Sequence, residues 1–229
     1  MNLLAFDTST EVLSIALCKG EQMFAFHERV GIRASELILP EIQSLLNQAG
    51  LELNELDGIA YGTGPGAFTG LRIACGVAQG LAFGASLPVV GINSLYALAQ
   101  ASAAQKIIVC QDARMGEIYF AALERQQEGW CELSVTALYK PDSLPEIAGQ
   151  GWMGVGSGWA TYGDALQAKY HAILQGTDAA ASPDAKAILQ LAMPLFESGK
   201  TESASNTKPL YIRNRVALTT LEREQGQKL

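Results

Sequence analysis

The sequence has very little histidine, with only His27 and His171 among 229 residues. They lie far apart in the chain, and His27 ends an edge-type strand pattern where a solvent-exposed side chain is expected. The motifs H-E-x-x-H, G-x-S-x-G and G-x-x-x-x-G-K-[ST] are absent from the sequence. These absences exclude the signatures of zinc peptidases, α/β-hydrolases and P-loop nucleotide enzymes.

Paired cysteines and excess positive charge are also lacking. Cys18, Cys75, Cys110 and Cys131 form no C-x-x-C pair, which argues against a zinc site and predicts free, buried thiols in a reducing compartment. Sixteen Lys and Arg against 23 Asp and Glu give a net charge of −7. Because such a chain has no general attraction for a phosphate backbone, nucleic-acid binding by the protein alone is not expected.

A long hydrophobic run covers residues 73–92, where Gln79 and Ser86 are the polar side chains. Four glycines and Pro88 interrupt the run, so it favours a buried helix ending near Gly84 and a strand over 88–92 rather than a membrane span. The first residues lack the basic segment of a signal peptide. With 48% apolar residues, we expect a soluble, cytoplasmic protein with a substantial core and no membrane association.

The first half of the sequence alternates strand and helix patterns. Short apolar or alternating segments predict strands over residues 3–6, 12–18, 22–27 and 59–61,. Apolar residues at helical spacing predict a helix over 35–48 that ends at Gly50,. Strands that alternate with helices are typical of an α/β sheet covered on both faces. Residues 1–103 are therefore expected to form an N-terminal α/β lobe.

The second half repeats the opening of the first. An apolar strand over 106–110 is followed by Asp112, a tight turn and a returning strand over 117–123, as the first strand is followed by Asp7, a turn and a returning strand. The repeat predicts a C-terminal α/β lobe over 104–217. Within that lobe we expect a loop-rich region over 130–158 and a helix over 183–197. A flexible tail over 218–229 is expected to follow the lobe.

Groups that could carry chemistry are few. The acidic residues Asp7, Glu11 and Asp112 could meet at the turn ends of the two lobes. The glycine-rich segment 62–70 joins a strand to a helix, where exposed N–H groups can bind an anion. A tight turn that brings the helix close to its sheet explains the same glycines, and the sequence alone does not separate the two interpretations.

The helix after this segment carries small residues on two faces. Two sets are each spaced by four residues: Gly66, Gly70 and Ala74, and Gly76, Gly80 and Gly84. Each glycine costs a helix about 0.5–1 kcal/mol relative to alanine, so close backbone approach must compensate. We expect one face to pack on the sheet and the other on a second helix, which could belong to this chain or to a partner.

Four segments together resemble one protein family. They are residues 7–10 (DTST), 61–72 (YGTGPGAFTGLR), 112–119 (DARMGEIY) and 211–214 (YIRN), in order over nearly the whole chain. On these segments the chain resembles the TsaB (YeaZ) family, which takes part in the synthesis of threonylcarbamoyladenosine on tRNA. The resemblance implies an α/β fold of the actin-like ATPase (sugar kinase/Hsp70) superfamily with two ribonuclease-H-like lobes.

The resemblance also implies a paralogue of the transferase TsaD without catalytic groups. Active relatives hold a metal with two histidines, whose positions here are Ser94 and Leu98. ATP-binding relatives have Asp-x-Gly-x-Thr in the first hairpin, whereas Ser9 and Glu11 replace the glycine and the threonine here. A carboxylate at the last position repels phosphate. The implied degenerate nucleotide loop consists of Asp7, Thr8, Ser9 and Thr10. No metal, cofactor or catalytic residue is expected.

The role that the resemblance implies is that of a non-catalytic subunit required for threonylcarbamoyl transfer to an adenosine of ANN-decoding tRNAs. Such a subunit would bind and support TsaD through its first two helices, with the ATPase TsaE completing the complex. It would pair with itself when isolated and would reach tRNA mainly through the complex. The expected partner contacts are Leu37, Glu41, Leu45, Phe68, Arg72, Ile73, Gly76 and Gly80.

Two alternatives come from other functional classes. A small ATP-dependent kinase of the same fold, such as a type III pantothenate kinase, suits the chain length, and Asp7 and Asp112 could hold magnesium. The replaced glycine and Glu11 argue against it, and ATP binding to the isolated protein would favour it. A peptidase is the third interpretation, although the sequence offers no evident nucleophile–base pair or metal ligands for it.

Overall fold

The computed structural model describes residues 1–127 and 129–213, and the strands within them form two five-stranded sheets. The first sheet contains β1 (Asn2–Asp7), β2 (Val12–Lys19), β3 (Gln22–Arg29), β4 (Gly58–Gly64) and β5 (Val89–Asn93). The second contains β6 (Lys106–Asp112), β7 (Ile118–Gln126), β8 (Gly129–Tyr139), β9 (Trp152–Val155) and β10 (Leu174–Asp178). The helices are α1 (Ala34–Ala49), α2 (Phe68–Ala85), α3 (Ser94–Gln100), α4 (Gly158–Thr161), α5 (Gly163–Tyr170) and α6 (Ala185–Glu197).

The two sheets have the same topology. In the first sheet the strand order is β3-β2-β1-β4-β5, with β1 antiparallel to β2 and parallel to β4. In the second sheet the order is β8-β7-β6-β9-β10, with β6 antiparallel to β7 and parallel to β9. The predicted repeat of strand, turn and returning strand is therefore confirmed, and so is the predicted α/β class.

Helix α1 buries one side against the first sheet. Ile38, Ile42 and Leu46 recur every four residues and are each at most 3% exposed, so burial of this apolar stripe holds the helix in place. Gly50 follows the helix with a φ of +60°, a left-handed conformation that glycine adopts without strain. Leu45 belongs to the same core and is 3% exposed. Its predicted contact with a partner is therefore wrong, because its side chain lies inside this protein.

Helix α2 packs on the same face of the sheet as α1, with one side buried and the other open. Ala74, Ala78 and Ala82 face the core. A Cβ built on Gly76 or Gly80 would meet no atom within 4 Å. The prediction of a buried helix is thus right for one side only, since nothing in the described part of the chain covers these two glycines. The described residues contain no helix long and apolar enough to cross a membrane.

The opposite face of the first sheet is covered by α6, near the end of the described chain. In this contact small strand residues pack against apolar residues of the helix. The strand residues are Ala5, Ala16 and Ala60, and the helix residues are Ala185, Ile188 and Leu189. The small strand side chains let the helix approach the sheet closely. The expected C-terminal lobe over 104–217 is therefore wrong for α6, which returns to the first lobe. Periodicity in the sequence predicted the helix but not the sheet on which it packs.

The region 130–158 is more regular than predicted. It contains most of β8 and all of β9, and its glycines permit close packing. A Cβ on Gly154 would lie 2.4 Å from the ring of Trp159, and one on Gly158 would lie 2.7 Å from the carbonyl oxygen of Cys110. The elements α4, α5 and β10, which the sequence patterns did not predict, complete the second lobe. The tail expected over 218–229 lies outside the described residues, as does position 214 of the last family segment.

Candidate functional site

The loop after β1 occupies the space beside the glycine-rich segment. A Cβ on Gly62 would lie 1.8 Å from the Asp7 carboxylate oxygen Oδ2, and one on Gly70 would lie 1.8 Å from the carbonyl oxygen of Thr8. The Thr8 hydroxyl also donates a hydrogen bond to the Gly70 carbonyl at 2.7 Å. Gly70 is therefore required because the loop and α2 meet backbone to backbone, and Gly62 is required because the buried Asp7 carboxylate fills the space beside it. Of the two interpretations of this segment, the tight turn accounts for these contacts.

Asp7 is the centre of a buried hydrogen-bond cluster. The residue is 1% exposed. Its Oδ1 accepts hydrogen bonds from the backbone N–H and the hydroxyl of Ser9 at 2.7 Å and 2.6 Å, and its Oδ2 accepts one from the Ser94 hydroxyl at 2.7 Å. The Ser94 hydroxyl in turn accepts from the backbone N–H of Gly64 at 3.1 Å. Burial raises the pKa of Asp7 above its usual value, and the bonds from Ser9 and Ser94 oppose that rise,.

The two positions at which the family resemblance implies histidines in active relatives are buried. Ser94 and Leu98 are each 1% exposed. The Ser94 hydroxyl is engaged by Asp7, and Leu98 packs in the apolar cluster between α3 and the second sheet. Among the residues described, no three His, Cys, Asp or Glu side chains are grouped so that they could hold a metal ion. At these two positions the chain therefore uses a serine to complete a buried hydrogen-bond network and a leucine to fill the core.

The raised pKa of Asp7 predicts a pH dependence of stability. Its carboxyl binds a proton more tightly when folded, so its contribution to stability is complete below the unfolded pKa and is lost as the pH rises through the folded pKa,. In urea unfolding at pH 4, 5.5 and 7, we expect wild type to lose stability relative to Asp7→Asn as the pH rises above about 4. A stability difference that stays constant over this range would contradict the assignment.

A cleft of about 620 Å³ separates the two lobes beside this cluster. Glu11 of the first lobe and Asp112 of the second approach the same guanidinium, that of Arg114, at 3.8 Å and 3.3 Å. Glu11 also pairs with Arg29 at 2.5 Å. Asp7 does not join them, because its carboxylate is enclosed by serine donors. Two of the three acids therefore meet across the cleft, and both are paired with arginine.

The predicted partner residues, apart from Leu45, occupy exposed or half-buried positions on α1 and α2. Phe68, Arg72, Gly76 and Gly80 are exposed, and Leu37, Glu41 and Ile73 are half-buried. Sequence reasoning missed Phe83, which is 79% exposed and follows Gly76 and Gly80 on the same side of α2,. It also missed Ile32, which is 97% exposed directly before α1. For Phe83 the available signal was its helical spacing from Gly76 and Gly80, and for Ile32 it was the position just before α1.

Two ribonuclease-H-like lobes around a central cleft define the class of this molecule as an actin-like ATPase fold. The family model described as TsaD, tRNA N6-adenosine threonylcarbamoyltransferase, matches residues 28–220. The tRNA threonylcarbamoyladenosine biosynthesis protein TsaB of Escherichia coli (strain K12) is 36% identical over 226 residues, which cover 95% of this chain and 96% of that protein. The protein of the same name from Haemophilus influenzae is 37% identical, covering 94% of this chain and 95% of that one.

A solved structure of YeaZ from Pseudomonas aeruginosa superposes with a TM-score of 0.82 at 34% identity, covering 92% of this chain and 99% of that chain. A second Pseudomonas aeruginosa structure, described as an uncharacterized protein with similarity to the peptidase YeaZ, has the same TM-score and identity. The chain belongs to the TsaB (YeaZ) family. Its role lies in tRNA threonylcarbamoyladenosine biosynthesis, and the relatives do not favour the kinase alternative.

Proposed function

We propose that this chain is a non-catalytic subunit of the threonylcarbamoyl transferase machinery, which binds TsaD and holds it in a competent state while the ATPase TsaE completes the assembly. The partner surface comprises Leu37, Glu41, Phe68, Arg72, Ile73, Gly76 and Gly80. The observation that carries the proposal is the open side of α2. Two consecutive helical turns there carry glycine with no atom near their Cβ positions.

The glycines on this open side have no compensation within the described chain. Glycine inside a helix costs about 0.5–1 kcal/mol relative to alanine. Gly70, in contrast, is required for contact with Thr8. A helix from a partner that approaches along Gly76 and Gly80 would supply the missing close contact, and the exposed Phe83 beside them would supply apolar area,.

The non-catalytic part of the proposal is supported by the way the acidic groups are used. Asp7 is enclosed by hydroxyl and N–H donors, so it does not face the cleft as a free carboxylate. Glu11 and Asp112 are paired with arginines. A kinase of this fold would need acids free to hold a magnesium ion beside phosphate.

Further parts of the proposal concern assembly and location. The same helix face would pair with a second copy of this chain when TsaD is absent. Contact with tRNA would be made mainly through the complex, since the net charge of −7 gives the chain no general attraction for RNA,. We place the assembly in the cytoplasm, which the free thiols of all four cysteines support,.

Replacing Gly76 with leucine tests the partner surface. Because a side chain at Gly76 has open space, Gly76→Leu should fold as wild type does. In the complex it would hold the two helices apart, so we expect affinity for TsaD to fall by at least about 100-fold. Size-exclusion co-elution and titration calorimetry with TsaD measure the effect.

The matched control is Gly163→Leu, at the start of α5 in the second lobe. Gly163 is also helical and also has no atom within 4 Å of its Cβ position. We expect this variant to bind TsaD as wild type does. Equal TsaD binding by Gly76→Leu and Gly163→Leu would overturn the placement of the partner on α2.

A further inference from the structure

The segment formed by residues 202–213, named here the connecting segment, runs along the first lobe after α6. Its start pairs with β5, because Val89 and Glu202 exchange two backbone hydrogen bonds of 2.9 Å and 2.8 Å. Further on, the buried hydroxyl of Tyr61 accepts from the backbone N–H of Lys208 at 3.0 Å and donates to its carbonyl at 3.2 Å. The Leu210 N–H then donates to the Thr63 carbonyl at 2.8 Å. The segment is therefore fastened to the first sheet at three points.

Tyr211 fastens the connecting segment to the first turn of α2. Its ring lies against Phe68 with 5.6 Å between ring centroids. Its hydroxyl accepts a hydrogen bond from Arg72 Nε at 3.2 Å, while the Arg72 guanidinium lies 3.9 Å from the centre of the Phe68 ring. Phe68 and Arg72 are both members of the proposed partner surface. The connecting segment thus touches that surface directly.

Two residues further on, Arg213 fastens the segment to the second lobe. Its side chain is 12% exposed, and its guanidinium pairs with Glu117 at 2.5 Å. It also donates to the carbonyl oxygen of Arg114 at 3.2 Å and contacts the sulfur of Met115 at 3.5 Å. These contacts hold the turn between β6 and β7, the same turn whose Arg114 side chain meets Glu11 across the cleft.

The turn that Arg213 holds is in a costly conformation. Arg114 and Met115 have φ values of +61° and +57°, and Gly116 follows at +75°. Residues other than glycine adopt this left-handed region at a cost in free energy, because their Cβ comes too close to the following carbonyl oxygen. Such a turn persists because its surroundings hold it, and Arg213 supplies part of that support. A displacement of Arg213 would therefore remove part of the support that keeps the turn in this conformation.

We propose that the connecting segment links the partner surface to the lobe interface, with Tyr211 and Arg213 as positioning residues. Two residues of extended chain span only about 7 Å, so movement of one anchor cannot be absorbed between them. This inference rests on the proposed function in that TsaD, seated on Phe68 and Arg72, is the partner that sets the position of Tyr211. Partner binding on the first lobe would then hold the β6–β7 turn and the angle between the lobes.

The first test uses the free protein and needs no partner. The N–H groups of Ala113 and Glu117 donate within the β6–β7 turn, so their hydrogen exchange reports on the turn. Tyr211→Ala changes a contact on the first lobe, yet we expect it to speed exchange at both amides by about tenfold. Tyr211→Phe keeps the ring and should have a much smaller effect. The Trp152 N–H, in β9, is the internal control and should not change.

The second test adds TsaD. In wild type, TsaD should slow exchange at Ala113 and Glu117, whereas in Arg213→Ala it should bind but leave these amides unprotected. Glu117→Gln weakens the same ion pair with little change of shape and should behave likewise, which covers the case that Arg213→Ala does not fold. If wild type fails to bind TsaD, the proposed function fails while the free-protein test still decides the link. Unchanged exchange in Tyr211→Ala, or equal protection in wild type and Glu117→Gln, would overturn the link.

Discussion

Gly70→Ala is expected to lower the free energy of unfolding by about 3 kcal/mol or more, because overpacking against backbone leaves little room for relaxation. The new Cβ would lie 1.8 Å from the carbonyl oxygen of Thr8. To avoid this overlap, α2 must move away from the loop after β1, which also breaks the 2.7 Å hydrogen bond from the Thr8 hydroxyl to the Gly70 carbonyl. Urea unfolding of the purified protein, followed by circular dichroism, measures the loss.

The matched substitution on the same helix is Gly76→Ala. Its Cβ would meet no atom within 4 Å, so the change should raise stability by about 0.5–1 kcal/mol through helix propensity alone. The two alanine variants are thus expected to shift the unfolding midpoint in opposite directions. A loss of stability in Gly76→Ala, or a shift near zero in Gly70→Ala, would contradict the assignment of the buried and open sides of α2.

The two sides of α2 show which contacts could be predicted from the sequence and which could not. The spacing of small residues predicted two close-packing faces, and the structure explains one of them by the loop at Thr8. Spacing alone could not tell which face is internal. That depends on the side from which the loop after β1 approaches, and the loop is joined to Gly70 by a hydrogen bond across 62 residues of chain.

The lobe architecture was predictable where contacts are local. The hairpin of β1 and β2 and that of β6 and β7 each place an apolar strand, an acidic residue and a return within about 20 residues, so the repeat is visible in the sequence. The return of α6 to the first sheet was not predictable, because its apolar stripe fits either sheet. In the structure α6 packs on the face of the first sheet where the small side chains of Ala5, Ala16 and Ala60 let it approach closely,.

The sequence singled out several residues of the candidate site but did not predict their geometry. Asp7 and Ser94 were singled out separately, yet the bond between their side chains closes a separation of 87 residues. Similarly, the sequence placed Glu11 and Asp112 near turns but did not predict that Arg114 would lie between them. The contacts of Glu11 and Asp112 with Arg114 depend on how the two lobes face each other, which local sequence patterns do not predict.

The second large effect is expected in cells. Depletion of this protein should remove threonylcarbamoyladenosine from tRNA, as measured by nucleoside mass spectrometry. Expression of wild type should restore the modification, and Gly76→Leu should fail to restore it, since leucine there would block the proposed partner surface while the fold is kept,. Gly163→Leu, whose side chain also enters open space, should restore it fully.

The same rescue separates a binding subunit from an enzyme. An enzyme of this fold that acts on the tRNA through a magnesium ion would require Asp7 and Asp112, so Asp7→Asn and Asp112→Asn would abolish the modification even when both variants fold and bind TsaD. A non-catalytic subunit requires neither charge, and we expect both variants to restore at least about half of the wild-type level, because one isosteric change within a polar cluster costs only about 1–3 kcal/mol of stability. Loss of the modification with TsaD binding intact would place chemistry in the cleft, and rescue would show that neither carboxylate is needed for the modification.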